Sequence, residues 1–217
     1  MCGKFTQMMS WRVAHDYSDF LKADGRAETV TPMRFADVLV LDETGARRMA
    51  RMRWGFPRAN RKDASVGPGH IHARAETIDE KPAFREAFRH RRGLLVVRAF
   101  NVAQHLGQNR TEQYVVTPRD GKPLALAVLW RPWTDDEGRT ILTFTMATTA
   151  PSTLIEPIAE RMPVVIAPQD WGKWLGEDEA SPEELKRLLV PYGAPLDIAP
   201  EGRNAKPRPP GLQPDLF

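Results

Sequence analysis

Cysteine is almost absent from this sequence. Cys2 is the only one among 217 residues, so no disulfide can form within the chain and any thiol chemistry rests on that one side chain. Long apolar runs are missing too. Nothing approaches the roughly eighteen consecutive apolar residues of a membrane span, and Met1 to Met9 lacks the apolar core of a secretory signal. The expectation is a protein with no membrane partner that stays in a reducing, intracellular compartment. There is no internal repeat and no low-complexity stretch before the last segment, and nothing in the spacing of His70 and His105 suggests a metal site.

What is present is enough apolar residue, 41% of the chain, to bury one sizeable core, which we expect to span residues 1–200. The formal charge is only +3, but arginines cluster: Arg47, Arg48, Arg51 and Arg53; Arg58, Arg61 and Lys62; Arg89, Arg91 and Arg92. Such a basic face suits a phosphate backbone, whose affinity comes largely from displaced counterions. For any one cluster, a simple solvated face is the competing reading.

The coarse element pattern is mixed. Ser10 to Leu21 reads as a helix behind a serine cap. Phe35 to Leu41 and Arg47 to Trp54 read as a hairpin turned at Glu43-Thr-Gly45. Lys81 to Arg91 reads as a helix, with Pro82 in its first turn and Phe84 and Phe88 four apart. Gly93 to Phe100, Gln113 to Thr117, Leu124 to Trp130 and Thr140 to Thr148 read as strands, the last two joined by the loop Asp135 to Arg139. After Val164 to Ile166, helices are expected at Pro168 to Leu175 and Ser181 to Val190, the second with a capping box from Ser181 to Glu184. This irregular mixture implies an α+β fold with a mainly antiparallel, strongly curved, barrel-like sheet and peripheral helices.

Cys2 carries the most distinctive chemistry. With Met1 removed, it places an amine and a thiol on one residue. The amine condenses with an aldehyde to an imine, and the thiol then closes a thiazolidine with no cofactor. An α-amino group, with a pKa of about 8, is partly neutral at cellular pH. An abasic sugar in DNA offers such an aldehyde. Taken alone, Cys2 reads more readily as an accident beside the start codon.

A set of motifs in fixed order changes that. Met1-Cys-Gly-Lys-Phe5, Met52-Arg-Trp-Gly-Phe-Pro57, Ala73-Arg-Ala-Glu-Thr77, Lys81-Pro-Ala-Phe-Arg85, Ala127 to Trp130, Thr148-Thr149, Arg161-Met-Pro163 and Pro168 to Leu175 together resemble the SOS response-associated peptidase (SRAP) family. The resemblance implies that Cys2 is the nucleophile that captures abasic sites in single-stranded DNA, and that Arg74 and Arg161 hold flanking phosphates. It implies further DNA contacts by Lys4, where the family usually has arginine. Trp54 or Phe56 would wedge or stack bases, against a core role that is as natural for Trp54 and more so for Phe56. The implied setting is cytoplasmic and nucleoid-associated.

The chain also departs from the family pattern. His72 stands where asparagine is usual, Val102 where a glutamate is usual, and Ala159 where a histidine is usual. Valine offers no acid or base, which argues against autoproteolysis and leaves Met1 to the cell's own aminopeptidase. His72 emerges as a catalytic candidate that relays protons near neutral pH, against drift in a site that no longer catalyses.

The segment beyond Pro200 lacks apolar periodicity and reads as an extended, proline-rich tail over 201–217. It ends in Gln213-Pro-Asp-Leu-Phe217, which resembles the short peptide by which repair proteins bind the sliding clamp, with Gln213 hydrogen-bonding and Leu216 and Phe217 filling an apolar pocket. A frayed end is the competing reading. Three functions compete: covalent capture of abasic sites; a non-catalytic adaptor between single-stranded DNA, the clamp and a translesion polymerase; and, last, a thiol peptidase, for which no base stands out.

Overall fold

The computed structural model describes residues 2–8, 27–57, 69–108, 110–135 and 137–202. The expected helix at Ser10 to Leu21, the Arg58, Arg61 and Lys62 cluster, and the tail from 203, with Gln213, Leu216 and Phe217, lie outside them.

Two curled sheets carry the fold. The first is wholly antiparallel and contains five strands in the order β12 (Leu196–Pro200), β8 (Thr111–Pro118), β7 (Ala99–His105), β1 (Phe5–Met8) and β2 (Ala27–Val30). In the second, β4 (Arg47–Trp54), β3 (Phe35–Leu41), β6 (Arg92–Val97), β9 (Leu124–Thr134) and β10 (Thr140–Thr149) are hydrogen-bonded in a closed ring, with β5 (His72–Arg74) and β11 (Met162–Pro163) added along β10. The architecture is α+β, mostly sheet, as the sequence implies. Two pairings depart from the antiparallel rule: β10 runs parallel to both β4 and β5.

The hairpin β3–β4 forms where expected because Gly45 adopts a φ of +80° that other residues resist, while Asp42 accepts hydrogen bonds from the Thr44 and Ala46 amides. The run read as a single strand from Gly93 to Phe100 is two. β6 ends at Val97, the Arg98 amide donates to the Thr6 carbonyl, and β7 continues in the other sheet. An unbroken apolar run hides this corner because both strands are covered on both faces.

Alternation sorts the side chains into two cores. Val38, Val40, Leu95, Val97, Leu126 and Val128 face one that also holds Cys2, Phe5, Trp54, Val102 and Phe144. Leu39, Leu94, Val96, Ala127 and Leu129 face the other, covered by α1 (Arg85–His90), α2 (Trp171–Leu175) and α3 (Pro182–Arg187) through Phe88, Trp174 and Leu185. Gly93 lets β6 approach β3 closely, since a Cβ there would stand 2.8 Å from a Val38 methyl. All three helices are shorter than expected. Pro82 sits in a turn before α1, the stretch from Pro168 begins as a 3-10 turn, and α3 keeps the predicted capping box.

The arginine clusters are partly structural. Arg47 forms a bidentate pair with Glu177, Arg53 is buried, and Arg92 donates to the Trp174 carbonyl and to the Phe88 carbonyl at the end of α1. These three belong to the scaffold rather than to a free basic face.

Candidate active site around Cys2

Cys2 precedes β1, whose antiparallel pairing with β7 holds the start of the described chain against Asn101: the Asn101 amide donates to the Lys4 carbonyl at 3.0 Å. The thiol is 1% exposed and donates to the Lys4 carbonyl at 3.3 Å. Burial pushes its pKa up to about 11, against the pull of the Lys4 and Asn101 amides that face the sulfur. At neutral pH it is therefore a thiol, with almost no thiolate.

His72 meets it from β5. The two-residue period of the strand turns Ala73 into the helix-covered core and sets His72 and Arg74 to the opposite side. The Cys2 carbonyl lies within hydrogen-bond reach of the His72 ring, and His72 Nε2 has no hydrogen-bond partner among the described residues. Burial lowers the ring's pKa to about 4, with the charges of the N-terminal ammonium and then of Arg161 adding to the effect. This corrects the expectation of a relay that titrates near neutral pH: partly buried, with no carboxylate bonded to it among the described residues, the imidazole is uncharged and acts by hydrogen bonding.

Arg161 lies at the entrance to β11. Its Nη1 and Nη2 donate to the two Glu76 carboxylate oxygens at 2.7 and 2.9 Å, and Nη2 also donates to the Thr148 carbonyl at 2.6 Å. In turn the guanidinium holds the Glu76 carboxyl below the usual carboxylate range. The arginine is thus fixed in direction, within electrostatic reach of His72. Arg74 is exposed on β5, and its charge also acts on Glu76.

Trp54 is core, which corrects the base-stacking expectation. It is fully buried, stacked on Phe144 at 6.1 Å and tilted against Phe5 at 5.1 Å, with its indole N–H donating to the Ile71 carbonyl at 2.9 Å. An edge-on contact with His72 at 6.1 Å makes it the floor beneath that ring. Phe56 is also buried, beneath the Arg131 guanidinium. Val102 and Ala159 are buried in the same core as Cys2 and form apolar wall there. His70 pairs with Phe56 through the backbone and packs edge-on to Phe84, while His105 is exposed at the end of β7.

Lys4 is not free for a phosphate in this structure: its ammonium pairs with Glu201, whose other carboxylate oxygen accepts from Asn101 Nδ2 at 3.3 Å. Sequence reasoning missed Asn101, Glu201 and the strand β12 that delivers the latter. Asn101 left a faint signal as a lone amide in an apolar run. Glu201, in a stretch of Pro and Gly, left none.

Residues 1–201 match the family model described as SOS response associated peptidase (SRAP). The chain is 29% identical over 198 residues to the abasic site processing protein YoaM of Bacillus subtilis, covering 89% of this chain and 87% of that protein. The abasic site processing protein YoqW of Bacillus phage SPbeta matches at the same identity and length, with 88% of it covered. Among solved structures, one from Bordetella bronchiseptica superposes with a TM-score of 0.74 at 22% identity, covering 93% of this chain and all of that one. Another from Bacteroides thetaiotaomicron gives 0.68 at 23% identity, covering 81% of this chain and 78% of that one. These structures share the fold.

Proposed function

The chain belongs to the SRAP family, and from that premise we propose that it acts on abasic sites in DNA, capturing them in single strands as a covalent adduct of Cys2. The observation that carries the reading is the nearness of Cys2 to an uncharged His72, with a directed Arg161 within electrostatic reach of that ring. Relatives named abasic site processing proteins support the substrate class.

The chemistry follows from the protonation states. Once Met1 is removed, the neutral fraction of the Cys2 amine attacks the C1 aldehyde of the open sugar, and loss of water leaves an imine. The thiol then adds across the C=N bond. Its sulfur bonds to carbon and its proton passes to nitrogen, closing the thiazolidine. A thiol with a pKa near 11 is a poor first nucleophile, so the amine leads. His72 accepts or donates a hydrogen bond beside these atoms without carrying charge. Exposed Arg74 supplies positive charge for flanking phosphates, and Arg161 joins it where a phosphate takes the place of the Glu76 carboxylate. Because Val102 and Ala159 offer no proton acceptor, Met1 is removed by a separate aminopeptidase.

The test is a denaturing gel of full-length protein and Cys2→Ala, each incubated with a single-stranded oligonucleotide bearing one abasic site, with intact mass reporting Met1. We expect a shifted band that needs both Cys2 and the lesion. No band from protein with a free Cys2 amine would overturn covalent capture. The apolar Val102 and Ala159 would then favour a second reading, a non-catalytic adaptor that binds damaged single strands. In either case Gln213, Leu216 and Phe217 would recruit the protein to the sliding clamp, and deleting 213–217 would abolish clamp pull-down.

A further inference from the structure

β12 brings one carboxylate to the Cys2 site from the far end of the described chain. Paired antiparallel to β8 from Leu196 to Pro200, it delivers Glu201, whose amide donates to the Gln113 carbonyl at 2.7 Å. That bond continues the strand ladder and fixes where the side chain points. One carboxylate oxygen pairs with the Lys4 ammonium and the other accepts from Asn101 Nδ2. Lys4 and Asn101 are the two residues whose backbone surrounds the Cys2 sulfur: the Lys4 carbonyl accepts from the thiol, both amides face it, and the Asn101 amide is bonded to the Lys4 carbonyl. The carboxylate and the two residues it holds therefore form a brace around the start of β1.

We propose that Glu201 is a positioning residue for Cys2, restraining the N-terminal segment through Lys4 and Asn101 so that the Cys2 amine and thiol are presented together to the aldehyde. The proposal rests on the capture reading above. It gives a structural role to a carboxylate that no motif in the sequence marks, in a chain whose strand position 102 is a valine. Glu201 touches neither the sulfur nor the aldehyde, so its effect passes through the two residues it holds. Its ion pair is half-exposed, and the restraint is correspondingly modest and salt-sensitive.

Because Cys2 is the only cysteine, its alkylation by iodoacetamide, read as one added carbamidomethyl by intact mass, reports the brace without any DNA. Full-length wild type, Glu201→Ala and Glu201→Gln would be compared for alkylation rate and for capture of the abasic oligonucleotide, with thermal midpoints confirming that each is folded. Loosening the brace is expected to move the two rates in opposite directions. In Glu201→Ala alkylation rises and capture falls, each by roughly three- to ten-fold, as loss of one half-exposed ion pair and one hydrogen bond would produce. Glu201→Gln, which keeps an acceptor for Asn101 but loses the negative charge that faces Lys4, falls between, and high salt brings wild type toward it. Unchanged alkylation in Glu201→Ala overturns the proposal whatever capture does, and so does faster alkylation with undiminished capture. If wild type captures nothing while Glu201→Ala still alkylates faster, the capture reading has failed and the brace stands.

Discussion

Two tryptophans, Trp54 on β4 and Trp174 on α2, are both fully buried, yet they sit in different chemistry. Trp174 donates its indole N–H to the Gly93 carbonyl at 2.9 Å and packs on Phe88 among aliphatic side chains, closing the helix-covered core. Trp54 has an equally satisfied N–H but lies beside His72, a polar ring whose Nε2 has no partner among the described residues, in the core that also holds the Cys2 thiol. One core gathers aliphatic and aromatic side chains around a satisfied indole. The other tolerates a nucleophile and a desolvated imidazole, and such departures gather where a protein acts rather than where it is held together.

The sharpest way to break this comparison is to remove each ring. Trp174→Ala and Trp54→Ala should both destabilise the fold by about 3–5 kcal/mol in denaturant titrations. Only Trp54→Ala should also speed alkylation of Cys2 in the native protein. Equal alkylation in the two variants would mean that the cores are not functionally distinct.

A smaller effect comes from pH. His72 has its pKa lowered by burial to about 4, from an ordinary value of 6.5. Between those values the unfolded chain binds the proton and the folded one resists it. Stability is therefore full above about pH 6.5 and falls as pH drops toward 4, by at most about 3 kcal/mol. His72→Gln should flatten that part of the stability–pH curve, measured against wild type by denaturant midpoints across the window. The smallest effect expected is on the helix-covered side: Ser181→Ala removes the cap that accepts from the Glu184 amide and should cost about 1 kcal/mol, with no change in Cys2 alkylation.

Legibility in the sequence followed the range of the interactions. The β3–β4 hairpin and the α3 cap were readable because a turn glycine and a capping box act within a few residues. Motif order was readable as well, and the family match over residues 1–201 agrees with it. The corner at Arg98 was not, since a run covered on both faces carries no period to break. Nor were the parallel pairings of β10 with β4 and β5, because register between distant strands is set by what covers them. At the site, the nearness of His72 to Cys2, the low pKa of the ring and the burial of Trp54 all depend on surroundings that no motif states.

By itself, then, the sequence determined the chemistry available: a single thiol next to the start of the chain, a histidine in place of an amide, arginines at two motif positions, and no carboxylate at position 102. Only the tertiary structure decided what those groups are. Burial holds Cys2 as a thiol further above neutral pH and His72 uncharged further below it, Glu76 commits Arg161 to one direction, and a strand ending at residue 200 brings Glu201 against Lys4 and Asn101. The reason is physical: protonation state and side-chain direction are set by desolvation and by partners far away in the chain, and residue type alone specifies neither.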